Sequence, residues 1–154
     1  MPPSPALTIR AASEGDLAAV LRLYAQPAMD GASTSLQTAR ATFAEARRMP
    51  GYTLYVAESG GNVVGTFVLL IMPNIGHCAT PSALLDNVAV APAKQGQGIG
   101  RAMMRFALQT CAQAGCYKVT LSSNLRRDDA HAFYDKLGFE RHGYSFRIDP
   151  TTVD

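Results

Sequence analysis

The sequence predicts an α/β fold in which helices flank a mixed, mostly antiparallel sheet. Three patterns favour this fold. Segments of strand period and segments of helix period alternate along the chain. A tight turn over residues 59–62 joins two consecutive strands into a hairpin, and a glycine-rich turn leads from the fourth strand into a long amphipathic helix. Together they predict the order β-α-α-β-β-β-α-β-α-β, with room for one more strand at the end.

The first half of the chain contains the first strand, two helices and the hairpin. Ser13 and Asp16 are spaced like a capping box, so a helix is expected to begin there and to end at Pro27. A second helix is expected to stop before Pro50. The predicted elements are a strand over 6–10, helices over 13–26 and 35–48, and strands over 52–57 and 63–72.

The second half contains the fourth and fifth strands, joined by a right-handed helical crossover. In the fourth strand, strict alternation places Asp86 on the same face as Val88 and Val90, and opposite Ala89. Gly138 ends the last helix, and the aromatic residue after it is expected to pack back onto that helix. The predicted elements are a loop over 73–81, a strand over 84–90, a helix over 99–114, a strand over 117–121, a helix from 128 or 129 to 137, and one or two final strands over 139–148.

Length and composition are those of one folded domain. The 154 residues predict a single domain over 1–154, with its core over 6–148. Apolar residues make up 47% and charged residues 17%, which excludes disorder over most of the chain. The net charge of +2 gives no electrostatic reason to expect a nucleic-acid partner. No apolar run approaches the roughly 20 residues of a membrane-spanning helix, so no membrane partner is expected either.

The cysteines indicate in which compartment of the cell the protein is located. Cys78, Cys111 and Cys116 are an odd number without CxxC spacing. This spacing argues against a disulfide scaffold and against a structural zinc site, so no metal is expected. Because reduced cysteines are typical of the cytoplasm and no secretory signal peptide is recognisable, we expect a cytoplasmic location.

The strongest local signal runs from the fourth strand through a glycine-rich turn into the long helix. Glycines at 96, 98 and 100 let the backbone approach a ligand closely, and the free N–H groups of the helix start favour an anion such as a pyrophosphate. Glycine-rich turns also occur for purely geometric reasons. A Walker A loop is excluded because Ile99-Gly100-Arg101 stands where Gly-Lys-Ser/Thr is required. A dinucleotide fingerprint is excluded because the spacing is GxGxG and lies far from the first βα unit.

These residues resemble a known family. Gln95-x-x-Gly98-x-Gly100 is similar to the Q/R-x-x-G-x-G/A signature of the GCN5-related N-acetyltransferases, the GNAT superfamily. The preceding stretch 85–92 resembles the fourth strand of that family. Residues 121–139 resemble its second signature, which ends in Phe-Tyr-x-x-x-Gly-Phe. The resemblance covers the whole chain in topology and residues 84–139 in motif, and it implies the GNAT-like fold with acetyl-CoA as the cofactor.

The resemblance implies which residues hold acetyl-CoA. The backbone at the end of the fourth strand would hold the pantetheine arm in a gap left by the fifth strand, and the glycine loop would hold the pyrophosphate. Asn124 matches a position that often hydrogen-bonds the cofactor, although an Asn there also suits a turn. The implied cofactor-binding residues are Val88, Ala89, Val90, Gln95, Gly96, Gln97, Gly98, Ile99, Gly100, Arg101, Asn124 and Tyr134.

The resemblance also implies direct transfer to an amine, without a covalent acyl-enzyme. Tyr134 matches a family tyrosine that lies near the thioester sulfur and would protonate the departing thiolate. Its alternative role is packing. Asp86 is the best candidate for the base that deprotonates the amine, directly or through water, and could instead be a structural carboxylate. His77 is a second candidate for the base. A backbone N–H of the fourth strand could stabilise the oxyanion.

The expected activity is acetyl-CoA-dependent N-acetylation of a primary amine of a small molecule, by an acyltransferase that transfers groups other than amino-acyl groups. The Ser-Asn…Asp-Ala-His-x-Phe-Tyr region resembles small-amine acetyltransferases of the aminoalkylphosphonate type. Acetylation of a protein N-terminus or lysine, and a non-catalytic acyl-CoA sensor, stay open as alternatives. A homodimer is also expected, since the family often pairs through C-terminal strands. Acceptor contacts are expected from Met29, Asp30, Asn74 and His77.

Overall fold

The fold is known from a computed structural model, which describes residues 5–29 and 31–152. Five strands form one sheet in the order β1-β2-β3-β4-β5. Each neighbouring pair from β1 to β4 is antiparallel, and β5 is parallel to β4, so the predicted mixed, mostly antiparallel sheet is confirmed. The strands are β1 (Leu7–Ala11), β2 (Tyr52–Ser59), β3 (Asn62–Met72), β4 (Ser82–Val90) and β5 (Val119–Leu121).

Side-chain hydrogen bonds mark the starts of the first two helical segments. The Ser13 N–H donates to the Asp16 carboxylate at 2.7 Å, so the capping box is confirmed, although it opens a 3₁₀ turn before the first α-helix. The Ser35 hydroxyl accepts the Thr38 N–H at 3.1 Å at the start of the second helix. The helices are α1 (Leu17–Tyr24), α2 (Leu36–Ala46), a single turn α3 (Gly76–Ala79), α4 (Ile99–Gln113) and α5 (Asp128–Lys136), with 3₁₀ turns at 14–16, 92–94 and 150–152.

The chain divides into two compact units, residues 1–121 and 122–154. The first unit contains the whole sheet and helices α1 to α4, and the second contains α5 and the residues that follow it. The expected single domain over 1–154 stays a prediction.

One face of the sheet packs against α4. The Tyr55 ring stacks on Phe67 at 5.1 Å between centroids and meets Phe106 of α4 edge-on at 5.2 Å. Met103 of α4 lies so close to Gly65 that a Cβ there would come within 2.8 Å of its sulfur. Because side chains alternate along a strand, Thr66 faces the other side, which packs against α1. Both sides are closely packed, as burying apolar surface requires.

An ion-pair network attaches the start of α1 to the edge of the sheet. The Arg10 guanidinium contacts the Asp16 carboxylate and the Glu58 carboxylate, each at 2.7 Å. The hydrogen bonds from Arg10 lower the pKa of Asp16 to about 2, so this carboxylate is ionised at neutral pH. The network ties the N-cap residue of α1, Asp16, to strands β1 and β2.

The predicted final strands over 139–148 are wrong. The side chains of Tyr144, Phe146 and Ile148 alternate as in a strand but are 90%, 91% and 69% exposed. A strand forms only against a hydrogen-bonding neighbour, and the described residues of the second unit contain no strand that could pair with this segment. The end of α5 is confirmed: Gly138 has φ 90°, and the ring of Phe139 packs on Tyr134 at 5.6 Å.

Two smaller predictions also differ from the structure. The loop over 73–81 contains the turn α3, in which His77 and Cys78 have positive φ values of 49° and 58°. The Asn74 side chain accepts the Gly76 N–H at 3.1 Å, which nucleates this turn. The fifth strand is shorter than predicted because its ladder to β4 begins only at Val119.

Candidate functional site

The glycine loop has the geometry of an anion cradle. Gly96 and Gly98 have φ values of 75° and 82°, which residues with a Cβ adopt only under strain. Gly98 is the N-cap of α4, and no side chain caps the helix there. A Cβ at either glycine would meet nothing within 4 Å, so the space beside each of these two glycines is open. The donors and dipole of this uncapped helix start fit a phosphate group.

The polar side chains of this loop divide into two kinds. The Gln95 amide donates to the Val90 carbonyl at 3.3 Å, and the Gln97 amide donates to the Ala93 carbonyl at 3.2 Å. Both glutamines therefore hold the loop in shape. Lys94 and Arg101 are exposed and supply positive charge beside the cradle. Ile99 is buried and anchors the helix start, while Gly100 belongs to the first turn.

The outer edge of β4 is free at its carboxyl end. The parallel ladder to β5 covers residues 83–85 of β4 and stops at the pair Leu85 and Leu121. Residues 86–90 have no partner in β5, so the main chain of Val88 and Ala89 is open on that side among the described strands. The Val90 carbonyl already accepts the amides of Gln26 and Gln95, each at 3.3 Å. The gap that the resemblance implies is therefore present in the first unit.

A β-bulge interrupts β4 in front of this edge. Asp86 pairs with Val68 and Ala89 pairs with Thr66, so two residues of β4 lie opposite Phe67 of β3. Asn87, one of the two, has a φ of 51°. Asn is one of the few non-glycine residues that tolerate this conformation.

The bulge corrects the predicted register. Asp86 and Ala89 pair with Val68 and Thr66, which point to one face, so Asp86 and Ala89 face the α1 side together. Val90 pairs with Gly65 and faces the α4 side. Strict alternation failed because the bulge inserts one extra residue, and the sequence contains no glycine that would have indicated it.

Asp86 is an exposed carboxylate fixed by the bulge. Its Oδ1 accepts the Asn87 N–H at 2.8 Å. This is the structural role that the sequence left open, but the exposed carboxylate can still accept a proton from a ligand or a water.

Two tyrosines that sequence reasoning did not select lie on the same face as Asp86. The charge of Asp86 adds to burial in raising the pKa of both Tyr24 and Tyr52. The Tyr24 hydroxyl is buried and has no hydrogen-bond partner among the described residues. In the sequence Tyr24 looks like the last apolar position of an amphipathic helix, and only its polar end could have indicated another role.

The second unit carries Tyr134 and Asn124. The Tyr134 ring packs edge-on against Phe133 at 5.1 Å, and burial raises its pKa, opposed by nearby Arg127. The phenol therefore keeps its proton at neutral pH. The Asn124 side-chain oxygen accepts the Arg126 N–H at 2.9 Å, as in an Asx turn, while its amide can still donate.

The four residues expected to contact the acetyl acceptor differ in their surroundings. The His77 ring stacks on Tyr117 at 4.3 Å, and the side chain of Asn74 is used in the α3 turn. Met29 is half-buried, and its N–H donates to the Gln26 carbonyl at 3.0 Å. Asp30 lies outside the described residues.

A metal-binding cluster and a membrane-spanning helix are both absent from residues 5–29 and 31–152. In that part of the chain no three His, Cys, Asp or Glu side chains are grouped so that they could hold a metal ion. No helix in the same ranges is long and apolar enough to cross a membrane.

The mixed, mostly antiparallel sheet, the gap beside the end of β4 and the glycine loop before α4 match the α/β acyltransferase fold that the resemblance implies. The sequence model of the Acetyltransferase (GNAT) family matches residues 17–139. The chain therefore belongs to the GNAT family and is an acetyltransferase.

Relatives and solved structures agree with this assignment. The chain is 29% identical over 149 residues to glucosamine 6-phosphate N-acetyltransferase of Trypanosoma brucei brucei, covering 93% of this chain and 95% of the relative. It is 31% identical over 97 residues to aminoalkylphosphonate N-acetyltransferase of Salmonella typhimurium, covering 63% of this chain and 62% of the relative. A solved candidate acetyltransferase from Agrobacterium tumefaciens has a TM-score of 0.85 and 38% identity, covering 92% of this chain and 99% of that one.

The bulge yields a stability prediction. Asn87→Val should lower the free energy of unfolding by about 1–2 kcal/mol, because a β-branched residue disfavours positive φ. Asn87→Gly, which adopts positive φ freely, should stay within about 0.5 kcal/mol of the wild type. Asn62→Val is the control, since Asn62 is a strand residue without positive φ. Urea unfolding measures all three, and equal losses in the two Val variants would contradict the role given to Asn87.

Proposed function

We propose that this protein transfers the acetyl group of acetyl-CoA directly to the primary amine of a small molecule. The observation that carries the proposal is the uncapped start of α4 at the glycine loop, beside the free edge of β4. Membership of the GNAT family supports acetyl-CoA as the donor. The activity is an acyltransfer of a group other than an amino-acyl group.

The binding roles follow from the elements that carry each residue. Main-chain N–H groups of the glycine loop and the first turn of α4, over 95–101, would bind the pyrophosphate, with Arg101 adding charge. The free edge at Val88, Ala89 and Val90 would pair with the pantetheine amides like an added strand. Asn124 would donate its side-chain amide. Bound acetyl-CoA supplies an activated thioester.

The chain supplies three chemical functions. Asp86 removes a proton from the amine, directly or through a water molecule. A main-chain N–H at the bulge donates to the oxygen on which negative charge develops. Tyr134 gives its proton to the departing sulfur, which its raised pKa favours by keeping the phenol protonated.

The acceptor is proposed to be small. The two relatives named above act on glucosamine 6-phosphate and on aminoalkylphosphonates, and these names describe small amino compounds that carry a phosphate or a phosphonate. Met29, Asp30, Asn74 and His77 are proposed to contact the part of the acceptor beyond its amine. A cytoplasmic location is proposed on the free cysteines, of which Cys111 is buried.

A homodimer is part of the proposal. The alternating, exposed side chains of Tyr144, Phe146 and Ile148 have the period of a strand and would gain burial and hydrogen bonds on a second copy. Phe146→Glu should give the monomer mass in light scattering where the wild type gives the dimer mass. A wild-type monomer, or a dimer in both proteins, would contradict this.

Cofactor binding can be tested by thermal unfolding. At a concentration a hundred times its Kd, acetyl-CoA should stabilise the protein by about 2.7 kcal/mol, raising Tm by roughly 5–10 °C. Gly98→Ala should remove most of this rise, because a methyl group at the helix N-cap blocks the close approach of phosphate.

Gly115→Ala is the matched control. Gly115 has a φ of 77°, lies just beyond the other end of α4, and a Cβ there would also meet nothing within 4 Å. Both variants should lose similar stability through backbone strain, but Gly115→Ala should keep the full rise with acetyl-CoA. No rise in the wild type, or equal rises in the two variants, would overturn the cofactor site.

The acid role of Tyr134 predicts a kinetic result. Tyr134→Phe should lower kcat by about 10²-fold or more while leaving the Kd of acetyl-CoA nearly unchanged, because it removes the proton and keeps the ring. Tyr144→Phe makes the same change at an exposed site of the second unit and should keep wild-type kcat. If Tyr134→Phe keeps wild-type kcat, Tyr134 is a packing residue only.

A further inference from the structure

The side of the sheet that faces α1 gathers three oxygen-bearing side chains. Tyr52 pairs with Leu70 and Asp86 pairs with Val68, and residues two apart on β3 share a face. Tyr52 and Asp86 therefore point to the same side. Tyr24, the last residue of α1, reaches this side because α1 packs on β3 and β4.

The Tyr24 hydroxyl is an unused polar group in this cluster. Its oxygen is buried and makes no hydrogen bond among the described residues. The nearby Thr66 hydroxyl donates its own hydrogen to the Tyr55 carbonyl at 2.8 Å, so it has no hydrogen to donate to the Tyr24 oxygen. Burial raises the pKa of Tyr24 to about 12, and Thr66 only partly opposes this rise. A buried hydroxyl without a partner destabilises a fold, so its presence calls for a ligand.

The neighbouring carboxylate determines which ligand fits. Asp86 is held by the Asn87 N–H, is exposed at its outer side, and acts electrostatically on both tyrosines. An anionic or acceptor-only ligand would be repelled by the carboxylate. An ammonium group has three donors and a positive charge, which match one carboxylate and the lone pairs of a phenol.

We propose that Tyr24 and Asp86 bind the amine of the acceptor, with Tyr52 closing the subsite. The phenolic oxygen of Tyr24 accepts one N–H of the bound ammonium, and Asp86 accepts another. The covalent N–H bond whose hydrogen points to Asp86 then breaks, and its electron pair stays on nitrogen. The proton passes to the Asp86 carboxylate and from there to solvent. This rests on the proposed function and adds Tyr24 as a residue that contacts the reacting nitrogen.

The test uses Tyr24→Phe in the full chain, with Tyr55→Phe as the matched control. Tyr55 lies on the opposite face of the same sheet, stacked on Phe67. Because Tyr24→Phe removes an unpaired buried hydroxyl, its Tm should equal or exceed that of the wild type. Its KM for the amine should rise at least about 10-fold, with an unchanged Kd for acetyl-CoA, whereas Tyr55→Phe should keep the wild-type KM. A role in packing alone, which the Phe ring would keep, would leave KM unchanged and would overturn the inference.

A binding measurement keeps this inference separate from the proposed activity. Glucosamine 6-phosphate should raise the Tm of the wild type, glucose 6-phosphate should not, and Tyr24→Phe should lose the difference. If this pattern holds without turnover, the amine subsite stands and the proposed catalysis fails. If the wild type acetylates an amine and Tyr24→Phe keeps its KM, only the role of Tyr24 is overturned. If the wild type neither binds nor acetylates any member of a panel of small primary amines that includes glucosamine 6-phosphate and 2-aminoethylphosphonate, both are overturned.

Discussion

The hydrogen bond from the Asn87 N–H to the Asp86 carboxylate, 2.8 Å long, lies at the point where β4 leaves its regular pairing with β3. The positive φ of Asn87 inserts one extra residue there. As a result Asp86 and Ala89 face α1 together. The edge that follows is free because the ladder to β5 ends at Leu85. One local backbone conformation thus sets the direction of the carboxylate, and the open main chain lies directly beside it.

The proposed chemistry divides between the two sides of this bulge. On the α1 side, Asp86 and Tyr24 offer oxygen atoms to a cationic nitrogen, which an exposed carboxylate beside a buried phenol suits. Along the edge and at the start of α4, main-chain N–H groups and the helix dipole suit an anionic donor. The amine would therefore reach the bulge from the negatively charged side at Asp86, and the activated acyl group from the positive end of the α4 dipole.

Most of the fold could be predicted because local signals determine it. The Ser13–Asp16 capping box and the Gly138 stop each depend on a few neighbouring residues, and the structure confirms them. The glycine loop could be found for the same reason, since positive φ at positions 96 and 98 favours glycine. The fold class follows from these local elements and their order.

What failed depends on contacts between distant residues. The bulge at Asn87 is a feature of the pairing between β4 and β3. The alternation of side chains along β4 alone carries no information about that pairing. Residues 139–148 have the period of a strand, yet a strand also needs a neighbour. In the sequence Tyr24 looks like an apolar position of a helix. Its hydroxyl has a possible function only because the fold brings Asp86 of β4 near it.

The most direct measurement of the central claim is the release of free thiol from acetyl-CoA, followed with a panel of small primary amines and the corresponding alcohols. The account predicts thiol release that needs an amine, saturates with its concentration, and yields one N-acetylated product for each thiol. The alcohols should give only the background rate. Tight binding of acetyl-CoA without thiol release for any amine or peptide would contradict the account and identify the chain as an acyl-CoA sensor.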